Sequence, residues 1–251
     1  MSLLAVAELH KKFGGLHAVN AVSFGVEAGS IKAVIGPNGA GKTTLFNLIT
    51  GALKASAGQV QFKGSDILGR KPHQIAACGI ARTFQNIKLF HDMTALENVM
   101  VGRHLRSRAG FMAAMFSMPW TRREEQAIRE KSLELLALLE IEDYADVDAT
   151  RLAFGQQRAV EFARALALEP ELLLLDEPAA GLNIHETAEV GRLITRIRGL
   201  GITVLLVEHD MSLVMDISDE ILVLSFGEKI AEGVPAAIQN NSEVIRVYLG
   251  D

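Results

Sequence analysis

Three short runs along the chain are apolar almost throughout: Ile31 to Ile35, Leu172 to Leu175 and Thr203 to Val207. They lack the alternation of a half-exposed strand and predict parallel strands covered on both faces. Each run stops at polar residues, namely Gly36 onward, Asp176-Glu177 and Glu208-His209. In open α/β sheets ligands sit at the carboxyl ends of the strands, so the pattern predicts three strand ends converging on one site. Helical patterns lie between the runs. Residues 121 to 140, TRREEQAIREKSLELLALLE, are charged in the first half and leucine-rich in the second, and Gln157 to Leu168 sets Val160, Ala163, Leu166 and Ala167 on one face. Asn183, with Glu186 three residues on, has the form of a helix N-cap and its reciprocal partner. From about Asn86 to Arg151 nothing reads as a buried strand, which predicts a helical insertion into an α/β body. The tail from Ile221 predicts a hairpin through Phe226-Gly227 and then a short helix ending in VIRVYLG.

At 251 residues the chain is long enough for a large core, either one elaborated domain or a domain with a subdomain. With 49% hydrophobic and 22% charged residues it reads as a globular protein. A net charge of −5 argues against a broad electrostatic footprint for nucleic acid. The single cysteine, Cys78, excludes an internal disulfide framework and a four-cysteine zinc site, and its default reading is a buried, inert thiol. In the opening MSLLAVAELHKKF the charges follow a very short apolar stretch, unlike a secretory signal, and no window reaches the eighteen or so apolar residues of a membrane span. A cytoplasmic protein that meets a membrane only through partners is therefore expected.

The polar strand ends carry the chemistry. Residues 36 to 43, GPNGAGKT, match the phosphate-binding pattern G-x-x-x-x-G-K-[ST], and they follow a predicted strand. Gly36, Gly39 and Gly41 let the backbone turn so that N–H groups face phosphate oxygens, with Pro37, Asn38 and Ala40 completing the loop and Thr44 following it. Lys42 would reach the β- and γ-phosphates, Thr43 would ligate Mg²⁺, and a helix opening at Lys42 would add its positive dipole end. The run Leu172 to Glu177, LLLLDE, delivers two adjacent carboxylates. Asp176 suits a Mg²⁺ shell, and Glu177 would polarise an attacking water. A lone histidine is ordinarily a hydrogen-bonded structural residue. His209, however, is brought by its strand to the same edge as Asp176, in reach of the γ-phosphate or the catalytic carboxylate. Gln85 is positioned in the chain to bond Mg²⁺ or water, although alone it is an ordinary loop glutamine.

Together these residues resemble the nucleotide-binding subunits of ABC transporters over essentially the whole chain. Leu152-Ala153-Phe154-Gly155-Gln156 looks like the family signature LSGGQ, and the P-loop, Gln85, Asp176-Glu177, Ala180-Gly181-Leu182-Asn183 and His209 occur in family order. The resemblance implies an α/β P-loop NTPase fold with a mainly parallel core sheet, an antiparallel β portion, a helical subdomain at about 86–155 and a short C-terminal extension at about 228–251. It implies a Mg²⁺-dependent ATPase and a head-to-tail dimer. Each of two ATP molecules would lie between one subunit's P-loop and the Ala153, Phe154, Gly155 and Gln156 of the other. Phe13 falls where the family stacks an aromatic on adenine, a spacing that a core Phe also satisfies. Two positions depart from the family. Ala153 replaces the signature serine, so the Gly155 N–H and the helix N-terminus would carry more of that contact, and Asn183 replaces an aspartate while keeping the capping role.

Within the family, Lys12-Phe13-Gly14-Gly15-Leu16, the block ARTFQNIKLFHDMTALENVMVG at 81–102, LAFGQQR, DEPAAGLN and the ending IQNNSEVIRVYLG are similar to ATP-binding subunits of branched-chain amino acid importers. That subgroup also serves other amino acids, amides and urea, and its wording includes both departures. The implied partners are a second nucleotide-binding subunit, identical or different, two integral membrane permease subunits and, indirectly, a solute-binding protein. The implied location is the cytoplasmic face of the inner membrane. Residues 111–120, FMAAMFSMPW, hold three methionines and three aromatics, and suit either docking to a membrane subunit or an internal subdomain core. The alternatives are the engine of another ABC system, exporting lipid or lipopolysaccharide, and a soluble ABC ATPase outside transport. The apolar insertion and the ending weigh against the first. The lack of a second ATP site, a coiled-coil insertion or zinc cysteines weighs against the second.

Overall fold

Burial on both faces turns the three apolar runs into neighbouring parallel strands. A computed structural model of the chain describes residues 2–103 and 119–249, so most of the 111–120 stretch lies outside the described residues. The chain divides into two units: residues Met1–Arg82 with Glu171–Asp251, and residues Thr83–Pro170.

The first unit opens with strands β1 (Ser2–Phe13) and β2 (Leu16–Glu27), followed by β3 (Ile31–Ile35), helix α1 (Lys42–Ile49), β4 (Ala57–Phe62), β5 (Ser65–Asp66), α2 (Pro72–Ala77) and β6 (Ile80–Arg82). The four strands β2-β1-β4-β5 form an antiparallel sheet in that order. The hydrophobic pattern does not predict these strands individually. Their signal is visible in the inward positions Leu4, Val6 and Leu9, but bulges between Val6 and Lys11 break the alternation.

The second segment of this unit contributes β7 (Leu172–Asp176), β8 (Thr203–Val207), β9 (Glu220–Ser225) and β10 (Glu228–Gly233). The larger sheet runs β10-β9-β3-β8-β7-β6. Its β9-β3-β8-β7-β6 portion is parallel and β10 returns antiparallel, through the expected turn at Phe226 and Gly227. Lys32 interrupts an otherwise apolar strand and is nevertheless buried, because its ammonium is bonded to the Gly25 carbonyl (2.6 Å), to Glu220 (2.7 Å) and to Glu232. A buried charge persists only when paired in this way. Leu45 and Phe46 of α1 share one core with Leu4 and Phe24 of the antiparallel sheet and Val34, Leu174 and Leu205 of the parallel one. Cys78 is half-buried and its Sγ lies 3.4 Å from an Arg70 guanidinium nitrogen, which corrects the expectation of a fully buried thiol.

The second unit is helical: α3 (Ala95–Gly102), α4 (Pro119–Leu138) and α5 (Phe154–Leu166), with 3-10 turns at Glu142–Tyr144 and Ala149–Arg151. Among its described residues no strand forms beyond an isolated bridge between Thr94 and Asp148. The unit is wider than the 86–155 expected from sequence, because α5 belongs to it along its whole length. Leu96, Val99, Leu136, Val160 and Ala163 supply its buried apolar positions. A Cβ at Gly102 would meet the Arg164 carbonyl at 2.2 Å, so α3 approaches α5 where only glycine fits.

In the first unit the chain continues after β7 with α6 (Ile184–Gly199), after β8 with α7 (Met211–Ile217), and after β10 with α8 (Pro235–Gln239) and α9 (Ser242–Leu249). As the spacing predicts, Asn183 caps α6, its Oδ1 accepting the N–H groups of His185 and Glu186. No described helix is long and apolar enough to cross a membrane.

Candidate functional site

The loop after β3 is shaped by its glycines. Gly36 (φ +150°) and Gly41 (φ +99°) have no room for a side chain, since a Cβ would meet the Leu224 carbonyl at 2.1 Å and the Ala18 carbonyl at 2.3 Å. The loop is thereby pressed between β9 and β2. Gly39 (φ +80°) instead faces open space, so its inner side is free to receive a ligand. Lys42 opens α1 and is buried, with Nζ donating to the carbonyls of Gly36 (2.7 Å) and Pro37 (3.0 Å). Burial pulls the Lys42 ammonium below the usual lysine range, and the nearby carboxylates of Glu177 and Asp176 oppose that shift. Thr43 follows on the exposed side of the first turn.

Because β8 lies between β3 and β7, the strand ends meet: Val34 and Asp176 are both in register with Val207. Asp176 is buried. Glu177, one residue past the strand, sits at φ +48°, a left-handed conformation that costs a non-glycine residue about 1–2 kcal/mol. It is held there by bonds from its N–H to Val207 O (2.9 Å) and from the Ala180 N–H to its own carbonyl (3.1 Å). The Glu177 Oε1 lies 3.0 Å from His209 Nε2. An ionised carboxylate accepts that bond from a protonated Nε2, so His209 orients the Glu177 carboxylate through Oε1.

A cavity of about 430 Å³ is lined by Phe13, Leu16, His17, Ala18, the loop from Asn38 to Thr44, Glu177, His209 and Phe226. Phe13 closes the β1–β2 hairpin opposite Leu16, and its ring is 48% exposed on the cavity wall, which removes the alternative of a core phenylalanine. Lys11 Nζ stands 4.8 Å from the ring centroid. Most of the sequence-predicted residues of the first unit thus share one cavity wall, and Asp176 lies at the neighbouring strand end.

Gln85 and the residues Ala153, Phe154, Gly155 and Gln156 belong to the helical unit. Ala153 precedes α5 as its N-cap residue, and its N–H donates to Gln156 Oε1 at 3.0 Å. Ala153 has no cap hydroxyl to offer the first N–H groups of α5, and Ala153 and Phe154 are exposed. The backbone at Gln85 is tied to the same helix. The buried Arg158 donates to the carbonyls of Phe84 (3.1 Å) and Gln85 (3.2 Å) and pairs with Glu161 (2.8 Å), whose other oxygen accepts the Phe84 N–H. Burial pushes the Glu161 carboxyl up, and Arg158 opposes that.

Sequence reasoning missed Glu208 and Arg82. Glu208, 3% exposed, accepts the N–H of Ala179 on one oxygen (2.7 Å) and of His209 on the other (2.8 Å), which ties the segment after Glu177 to the one bearing His209. Its position at a strand end was the only signal. Glu208→Ala strands the buried Ala179 N–H and is expected to cost about 2 kcal/mol, read as a lowered thermal midpoint. An unchanged midpoint would show that neither segment depends on the carboxylate.

The donor set fits a hard divalent cation. Among the described residues no group of three or more His, Cys, Asp or Glu is arranged to hold a metal by itself. One buried carboxylate and one hydroxyl, completed by phosphate oxygens, is the usual provision for Mg²⁺.

A glycine cradle at a helix N-terminus, a buried lysine and a histidine-held carboxylate define a P-loop nucleotide-binding site. The family described as ABC transporter matches residues 19–180, and the one described as branched-chain amino acid ATP-binding cassette transporter matches residues 228–251. The chain belongs to the ABC transporter family, as an ATP-binding cassette. It is 45% identical over 250 residues, 99% of this chain and 98% of the other, to the high-affinity branched-chain amino acid transport ATP-binding protein BraF of Pseudomonas aeruginosa. It is also similar to the ADP conformation of MJ1267, an ATP-binding cassette of an ABC transporter, with TM-score 0.87, 33% identity and all of both chains covered. A third likeness is to the ATP-binding cassette MJ0796 in a dimeric post-hydrolysis state bound to ADP and phosphate. There the TM-score is 0.77 and the identity 26%, with 92% of this chain and 98% of the other covered.

Proposed function

We propose that the chain is the ATP-hydrolysing subunit of an ABC importer for branched-chain amino acids or related amino acids and amides. The observation that carries the hydrolytic reading is the Glu177–His209 pair on the same cavity wall as the Lys42 loop. The names of the relatives and the match over residues 228–251 support the amino-acid reading.

The backbone N–H groups of residues 36–44 and the N-terminus of α1 bind the β- and γ-phosphates. Lys42 Nζ exchanges the Gly36 and Pro37 carbonyls for phosphate oxygens, and Phe13 stacks on the adenine. Thr43 and Asp176 would hold Mg²⁺, which when bound neutralises charge on the phosphates. Glu177 takes the proton of the attacking water while His209 keeps its carboxylate turned toward the γ-phosphate. In a head-to-tail dimer the partner subunit closes the site with its signature turn. Here the backbone N–H of Gly155 and the helix N-terminus do the work that a serine hydroxyl at position 153 would share. Because Arg158 and Glu161 bind the backbone at Gln85 to the signature helix, a change sensed at Gln85 moves the turn that serves the other ATP.

The subunit would work with two integral membrane permeases and an external solute-binding protein, on the cytoplasmic face of the inner membrane. The test is a pull-down of the tagged chain from gently solubilised membranes of its host, with the co-purifying proteins identified by mass spectrometry. Polytopic membrane subunits together with a solute-binding protein are the expected result. Ribosomes or repair proteins without membrane subunits would overturn the transport reading.

A further inference from the structure

Arg82 ends β6, and its guanidinium serves three acceptors at once. One terminal nitrogen donates to Asp176 Oδ2 at 2.6 Å, and the other to Asn47 Oδ1 at 2.7 Å and Thr50 Oγ1 at 3.2 Å. Thr50 can accept because its own proton goes to the Phe46 carbonyl (2.8 Å). The plane lies 5.7 Å from the centroid of the Phe46 ring. One side chain therefore joins β6, the end of β7 and successive turns of α1. The rigid planar fork of arginine makes this possible, whereas lysine offers a single point of attachment.

The pair is nearly dry, with the Arg82 and Asp176 side chains 9% and 5% exposed. An ion pair at this depth is weak as a stabilising device, since desolvation consumes the Coulombic gain. Its placement makes sense if the charge on Asp176 is needed. Asp176 also acts electrostatically on Lys42.

We propose that Arg82 is the positioning residue of the magnesium site. By clamping Oδ2 of Asp176 to α1, it holds the carboxylate in one orientation toward the shell of the cation. Mg²⁺ demands near-ideal octahedral geometry, and partners that orient a metal ligand typically govern roughly 10–100-fold in metal affinity. The inference rests on Asp176 belonging to that shell.

The experiment titrates Mg²⁺ against binding of a fluorescent ATP analogue to the full chain, with binding in EDTA as the reference, for Arg82→Met, Arg82→Lys and Asp176→Asn. Arg82→Met is expected to need about tenfold more Mg²⁺ for half-maximal binding, with affinity in EDTA unchanged. Arg82→Lys should fall between it and the wild type, because the charge remains and the three-way clamp does not. A folded Arg82→Met protein with the wild-type midpoint, beside an Asp176→Asn protein whose midpoint has moved, would overturn the inference and leave the Asp176 assignment intact. An unmoved Asp176→Asn midpoint would overturn the assignment itself. If Arg82→Met does not fold, Asn47→Ala combined with Thr50→Val keeps the ion pair but frees it from α1. That double variant should still shift the midpoint severalfold, and no shift would count against the clamp.

Discussion

Replacing Glu177 with Gln is expected to leave ATP binding in place and to lower hydrolysis by about a hundredfold or more, the usual contribution of a positioned general base. The amide is nearly isosteric with the carboxylate, so the left-handed turn at Glu177 and its bonds to Val207 and Ala180 remain. On the proposed mechanism, what is lost is the oxygen that would take a proton from water. A dimer closed over ATP then has no exit by hydrolysis and should accumulate. Nucleotide binding, phosphate release and size-exclusion chromatography with ATP report the three parts separately. Wild-type turnover in this variant would remove Glu177 from the mechanism.

Lys42→Ala is expected to act one step earlier, on affinity. A charge-assisted hydrogen bond to phosphate contributes about 1.5–3 kcal/mol, so the dissociation constant for ATP should rise roughly ten- to a hundredfold. The structure adds a reason for the size of the effect. Lys42 is held inside the loop by the Gly36 and Pro37 carbonyls before any ligand arrives, so little side-chain freedom is lost when phosphate replaces them. Nucleotide affinity measured by fluorescence checks this, and an unchanged value would contradict the assignment of residues 36–44 as the phosphate cradle.

The first of these predictions is available from sequence in outline. The pair Asp176-Glu177 after an apolar run announces carboxylates at a strand end, but not that Glu177 adopts a left-handed backbone or that His209 takes its Oε1. The three buried parallel strands are readable because burial on both faces leaves a continuous apolar run. The antiparallel strands β1, β2 and β4 are not, since bulges at Glu8 and around Lys11 interrupt the period on which such a reading depends. The insertion is recognisable as helical, yet its extent reads short, because α5 belongs to that unit along its whole length while its sequence reads like any amphipathic helix.

Sequence alone carries the candidate site residues and their order along the chain. A glycine loop ending in Lys-Thr, a DE pair, a histidine after a third strand and an LSGGQ-like turn are local patterns, and each demands its residue types at fixed spacing. Tertiary structure alone decided which polar groups become partners. Arg82 reaches Asp176, Asn47 and Thr50 because β6 lies beside β7 and α1 passes over them. Glu208 reaches Ala179 because β8 and β7 end together. Arg158 reaches the carbonyls at Phe84 and Gln85 from more than seventy positions away. No spacing rule encodes such contacts, because they are set by which strands and helices the core brings side by side.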